Sequence, residues 1–128
     1  MPPDVRPKPV VWVGPSLSDL RTFPREVHRW VGYALEIAQY GGKHREAKPL
    51  KGFKGAGILE VVEDHDGDTF RAVYTVKLAG RIYVLHAFQK KARKGIKTLK
   101  HHLDLIRARL GQAEQIQQEL EEQPWAKT

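Results

Sequence analysis

Between Ile58 and Lys90 the chain repeatedly alternates apolar and polar residues, the period of two that an extended strand turns into two faces. Two breaks punctuate the alternation. His65-Asp66-Gly67-Asp68 offers the small, turn-forming residues of a tight hairpin, and Ala79-Gly80 offers a second turn. The segment predicts three strands over about 58–64, 69–78 and 81–90, joined as an antiparallel meander. A fold built from this chain has to cover at least one face of that sheet.

Helical periodicity flanks the meander. Pro2, Pro3, Pro7 and Pro9 predict an extended arm over residues 1–9. Val10 to Val13 reads as a short strand stopped by Gly14-Pro15. Ser16, with Asp19 three residues on, reads as a capped helix start, and Pro24 divides the helical stretch into a short and a longer helix. The longer one, about 24–40, places Val27, Trp30, Val31, Ala34, Ile37 and Ala38 on one face before Gly41-Gly42 ends it. Thr98 caps a last helix with Leu99, Leu103, Ile106, Leu110 and Ala113 at helical spacing. The order β-α-α-β-β-β-α predicts an α+β sandwich with the helices packed on one sheet face. One domain over 10–113 is expected, followed by an acidic tail over 114–128.

The charge balance selects a class of partner. Lys and Arg number 22 against 15 Asp and Glu, a net charge of +7, which favours a polyanion. The cations cluster. The loop Lys43 to Lys54 is basic and glycine-rich, and Lys90 to Lys100 holds six cations in eleven positions. Cysteine is absent, so disulfides and thiolate chemistry are excluded. No apolar run reaches the roughly 20 residues that cross a bilayer. Pro and charged residues near the start replace the apolar core of a signal peptide. A soluble, cytoplasmic protein without membrane contact is expected.

Register turns the meander into a candidate chemical surface. If the second hairpin closes over two or four residues, Arg71 faces Phe88, Val73 faces His86 and Thr75 faces Val84. Arg71, His86, Phe88 and Lys90 then share one face, while Phe70, Ala72, Tyr74, Val76, Tyr83, Leu85 and Ala87 share the other, apolar one. RNA cleavage by the adjacent 2′-hydroxyl needs no cofactor. It needs a base, an acid and cations to hold charge building on the phosphorus oxygens. Arg71 suits bidentate phosphate binding, and His86 suits proton transfer. Lys90 and Lys91 join them as candidate catalytic cations. Lys48, Lys51, Lys54, Arg93, Lys94 and Lys97 suit RNA backbone contacts, with Phe88 as a stacking platform. The plainer reading makes Arg71 a solvated strand residue, and His86 and Phe88 parts of a half-buried sheet face.

Other signals lead away from metals. Asp64, Asp66 and Asp68 alternate as in a calcium loop, but Gly67 and Thr75 stand at the wrong places for one. His101 and His102 are adjacent on a helix and diverge.

Four segments in this order resemble the RelE/HigB-type toxins of bacterial type II toxin–antitoxin modules, especially their phage-derived branch. They are Lys48-Pro49-Leu50-Lys51-Gly52-Phe53, Arg71-Ala72-Val73-Tyr74, His86-Ala87-Phe88-Gln89-Lys90-Lys91, and the helical run Thr98 to Arg109. The resemblance implies a small β-sheet ribonuclease acting on mRNA in the ribosome. It also implies a cognate antitoxin, commonly a helix-turn-helix protein. By position it places Arg71 at the scissile phosphate, Lys51 and Lys54 in the basic loop, and Lys90 and Lys91 at the basic strand end. The chain departs from members with a tyrosine near the chain end: Trp125 stands there, and no tyrosine follows Tyr83. Two further readings stay open, a ParE-type toxin that poisons gyrase by binding and a plain nucleic-acid-binding or antitoxin-binding module.

Overall fold

Five strands form one sheet in the order β1-β5-β4-β3-β2. In chain order the elements of the computed structural model are β1 (Val10–Trp12), α1 (Ser16–Arg21), α2 (Arg25–Gln39), β2 (Lys48–Pro49), β3 (Ile58–His65), β4 (Asp68–Thr75), β5 (Ile82–Lys90) and α3 (Ile96–Glu122). The structure describes residues 6–53, 55, 57–90 and 96–122, without the side chains of Lys90 and residues 96–99. Lys54, Lys91, Arg93 and Lys94 therefore lie outside the described residues, and Lys90 and Lys97 are placed by backbone alone.

The meander forms as its turns dictate. Asp66 and Gly67 both adopt left-handed backbone (φ 49° and 84°), the pair that a two-residue hairpin between right-twisted strands demands. β3, β4 and β5 pair antiparallel, while β1 adds to β5 in parallel, Val10 opposite Ile82. The two-residue β2, which the sequence reading left inside the basic loop, pairs Lys48 with Glu60.

Two cores sandwich the sheet. On one face, Val27, Val31, Ala34, Leu35 and Ala38 of α2 pack on Val61, Phe70, Ala72, Tyr74, Ile82 and Val84. Burying Val27, Val31 and Leu35 contributes about 1.5–3 kcal/mol each. On the other face, Ile106 and Ala113 of α3 pack on Ile58, Val73, Tyr83, Leu85 and Phe88. The α+β class holds, but the helices cover both faces. The reason lies in β5: Ile82 to Phe88 are all buried, and a strand apolar on both sides needs cover on both.

A bulge corrects the expected face assignment. Arg71 faces Phe88 and Val73 faces His86 as anticipated, but Tyr74 pairs with Val84 and Thr75 with Tyr83. Leu85 is the extra residue, and the slip turns Tyr83 and Leu85 toward α3. The helix itself runs through the boundary expected at 113. Gln117 is buried, accepts the Tyr83 hydroxyl proton at 2.7 Å and donates to the Ala79 carbonyl at 2.9 Å. At the other end, Lys8 and Gln39 exchange two hydrogen bonds of 2.8 Å, fastening the arm to α2. Ser16 does not cap α1; its buried hydroxyl donates to the Val84 carbonyl.

Candidate nucleic-acid interface

Paired strands set three rows of residues across the α3 face. The first runs Lys48, Glu60, Val73, His86; the second Val62, Arg71, Phe88; the third Asp64, Thr69, Lys90. Arg71, His86, Phe88 and Lys90 therefore do share a face, as their register predicts. Lys48 shares it too. Lys51 is exposed in the loop that follows β2, and Phe53 beyond it is buried beneath α3 with the Arg107 guanidinium 5.0 Å from its ring centre.

Arg71 is held in place. Its Nη1 donates to Glu60 Oε2 at 2.8 Å, and both side chains are only about one fifth exposed (22% and 18%). Glu60 sits on the neighbouring strand, a diagonal contact within reach of long side chains. No other Arg71 donor has a partner among the described residues, and its Nε is buried. A fixed guanidinium with donors to spare suits an oxyanion.

His86 and Phe88 differ from expectation. His86 is 4% exposed and both its ring nitrogens are engaged: Arg109 Nη1 lies 2.8 Å from Nδ1, and His102 Nδ1 lies 2.7 Å from Nε2. Burial, then the Arg109 charge and the neighbouring imidazoles, push its pKa down to about 3. The ring is thus neutral, buried and fully bonded, which corrects its reading as an open acid or base. Phe88 is no open platform either. His102 stacks on one side of it at 3.8 Å and His86 lies against it at 4.7 Å. Neither tyrosine of the meander offers an open hydroxyl on this face. Tyr74 points to the other core, where burial raises its hydroxyl to about 12, and Tyr83 is bound to Gln117.

Sequence reasoning missed Glu60, His102, Arg107 and Arg109. A signal existed on α3, where His102, Ile106, Arg109, Ala113 and Gln117 recur at helical spacing. That stripe mixes polar with apolar residues, so a search for apolar periodicity alone passes over it. Arg109 also donates to the carbonyl of Leu85, the bulged residue, at 3.1 Å. The bulge thus presents both a carbonyl and an imidazole to one guanidinium.

The family described as phage derived protein Gp49-like (DUF891) matches residues 18–111, which include α2, β2 to β5 and α3 as far as Gly111. The chain belongs to this Gp49-like family. No curated protein matches it significantly in sequence. The Gp49-like fold is similar to that of the E. coli toxin RelE, solved as an arginine-to-alanine double mutant in the free state. That likeness has a TM-score of 0.52 at 15% identity, covering 69% of this chain and 88% of RelE. A toxin–antitoxin complex, RelBE2 from Mycobacterium tuberculosis, also matches, with a TM-score of 0.45, 17% identity, and 66% and 100% coverage. Among the described residues of the Gp49-like chain, no helix is long and apolar enough to cross a membrane.

Proposed function

We propose that this Gp49-like protein is the toxin of a type II toxin–antitoxin pair, an endoribonuclease that cuts mRNA on the ribosome and is neutralised by a cognate antitoxin. The observation that carries this reading is Arg71, oriented by Glu60 on a RelE-type sheet face that also bears exposed Lys48, with exposed Lys51 in the loop after β2. In the reaction a 2′-oxygen–phosphorus bond forms and the phosphorus–5′-oxygen bond breaks. The 2′-hydroxyl gives up a proton and the leaving oxygen takes one. Arg71 stabilises the charge that gathers on the phosphorus oxygens between those events, with Lys90 and Lys91 as further cations at the strand end. Lys48, Lys51, Lys54, Arg93, Lys94 and Lys97 bind the RNA backbone, and His86 orients its neighbours instead of exchanging protons with substrate.

Two observations favour a second reading, a toxin that acts by binding alone: His86 is buried, and Arg71 already holds a carboxylate. Inducing wild type and Arg71→Ala in a bacterial host, then mapping mRNA 5′ ends, separates the two. Cuts inside translated codons that fall at least about 100-fold in the variant are expected, the size of effect that one phosphate-stabilising donor carries. Growth arrest with intact mRNA would leave the binding reading.

A further inference from the structure

Arg109, His86 and His102 form a hydrogen-bonded chain whose direction is fixed by its first member. A guanidinium only donates, so His86 Nδ1, 2.8 Å from Arg109, is the acceptor. Neutral His86 then carries its proton on Nε2 and gives it, across 2.7 Å, to His102 Nδ1. His102 in turn carries its own proton on Nε2, at the other edge of its ring. Both tautomers follow from one arginine.

We infer that His102 Nε2–H is a neutral hydrogen-bond donor to a phosphate oxygen of the bound polyanion, with Arg109 and His86 as the positioning residues that fix its tautomer. The inference rests on the nuclease reading for the identity of the polyanion. His102 is placed for this task. It stacks on Phe88, and Phe88 is the direct cross-strand partner of Arg71, so the imidazole and the guanidinium border the same patch of sheet. His102 is half-buried, and no partner occupies its Nε2 among the described residues. Protonation would set an Nδ1–H of His102 against the Nε2–H of His86. Burial, His101 and Arg109 likewise lower the His102 pKa. The ring therefore gives a hydrogen bond without adding a charge, beside an arginine that adds one.

Nitrogen-15 NMR of the imidazoles in the full chain reads the tautomers directly. Both His86 and His102 should appear as neutral Nε2–H forms at neutral pH. A short RNA with a 2′-deoxy residue at the cut site should shift the His102 Nε2 signal and leave the ring neutral. In Arg109→Met, both tautomers should become mixed and both rings should titrate closer to 6.5, the ordinary value. A cationic or Nδ1–H His102 in the wild type, or an Nε2 signal unmoved by saturating RNA, would overturn the inference. Cleavage gives the second arm. His102→Gln keeps an amide N–H near the Nε2 position and should stay within about tenfold of wild type, whereas His102→Asn, whose amide reaches only the Nδ1 position, should lose about 100-fold. Equal activity of the two variants would also overturn it. A wild type that cuts no mRNA defeats the nuclease reading, while the spectra still decide the tautomers and the anion contact.

Discussion

His86 gives this domain a definite response to acid. Its pKa of about 3 lies far below the ordinary 6.5 because burial and the Arg109 charge disfavour the cation. For a basic group depressed in this way, the unfolded chain binds the proton first as pH falls. The stabilising contribution is complete above about 6.5 and is lost progressively toward 3, with a limiting slope of about 1.4 kcal/mol per pH unit for one proton. Thermal melts across that window should show a shallower acid loss for His86→Leu than for wild type. A parallel acid limb in the variant would assign the loss to other groups. The pairing of Arg71 with Phe88 and of Val73 with His86 was expected from a short hairpin, and it holds because the bulge at Leu85 restores that register beyond the Thr75–Tyr83 pair. The burial of His86 and Phe88 was not legible in the sequence, because period two places a side chain on a face and says nothing of what covers that face.

α3 shows the same limit at the level of a whole element. Its apolar spacing announced a helix, but the pattern weakens after Ala113, and the residues that follow look like a solvated acidic tail. Ala113 and Ile116 still pack on the core, and a polar contact holds the helix one turn beyond Ala113. Gln117 accepts from the buried Tyr83 hydroxyl and also receives Arg81 Nη1 at 3.3 Å. Gln117→Leu leaves that hydroxyl without its acceptor and should cost about 1–3 kcal/mol in urea unfolding, with no change of slope. Stability equal to wild type would show the tail to be dispensable. The bulge at Leu85 was equally hidden. One extra residue inverts the faces of Tyr83 and Leu85, yet composition and turn residues look the same with it or without it.

Across the whole molecule the excess of +7 charges supports polyanion binding, and its strength should depend steeply on salt. If Lys48, Lys51, Arg71 and Arg107 each neutralise one phosphate of a single strand, log affinity should fall against log salt with a slope of about −3. Fluorescence anisotropy with a labelled, uncleavable RNA measures this, and Arg71→Ala should reduce the slope by about 0.7. An unchanged slope would place Arg71 away from the phosphates. Net charge and clustered lysines raise the expectation of such a surface from the sequence alone; the acidic partner of Arg71 does not stand out there, since Glu60 reads as an ordinary strand residue. One feature of the topology bears on how the surface comes into being. Val10 to Trp12 of β1 pair with Ile82 to Val84 of β5, a neighbour in the sheet but far along the chain, so β1 cannot dock until β5 has emerged. His86, Phe88 and the helix over them are also late in the chain. During translation, then, the face bearing Arg71 stays unassembled until β5 and α3 have both emerged, and until that moment the growing chain carries the pieces of the surface without the surface itself.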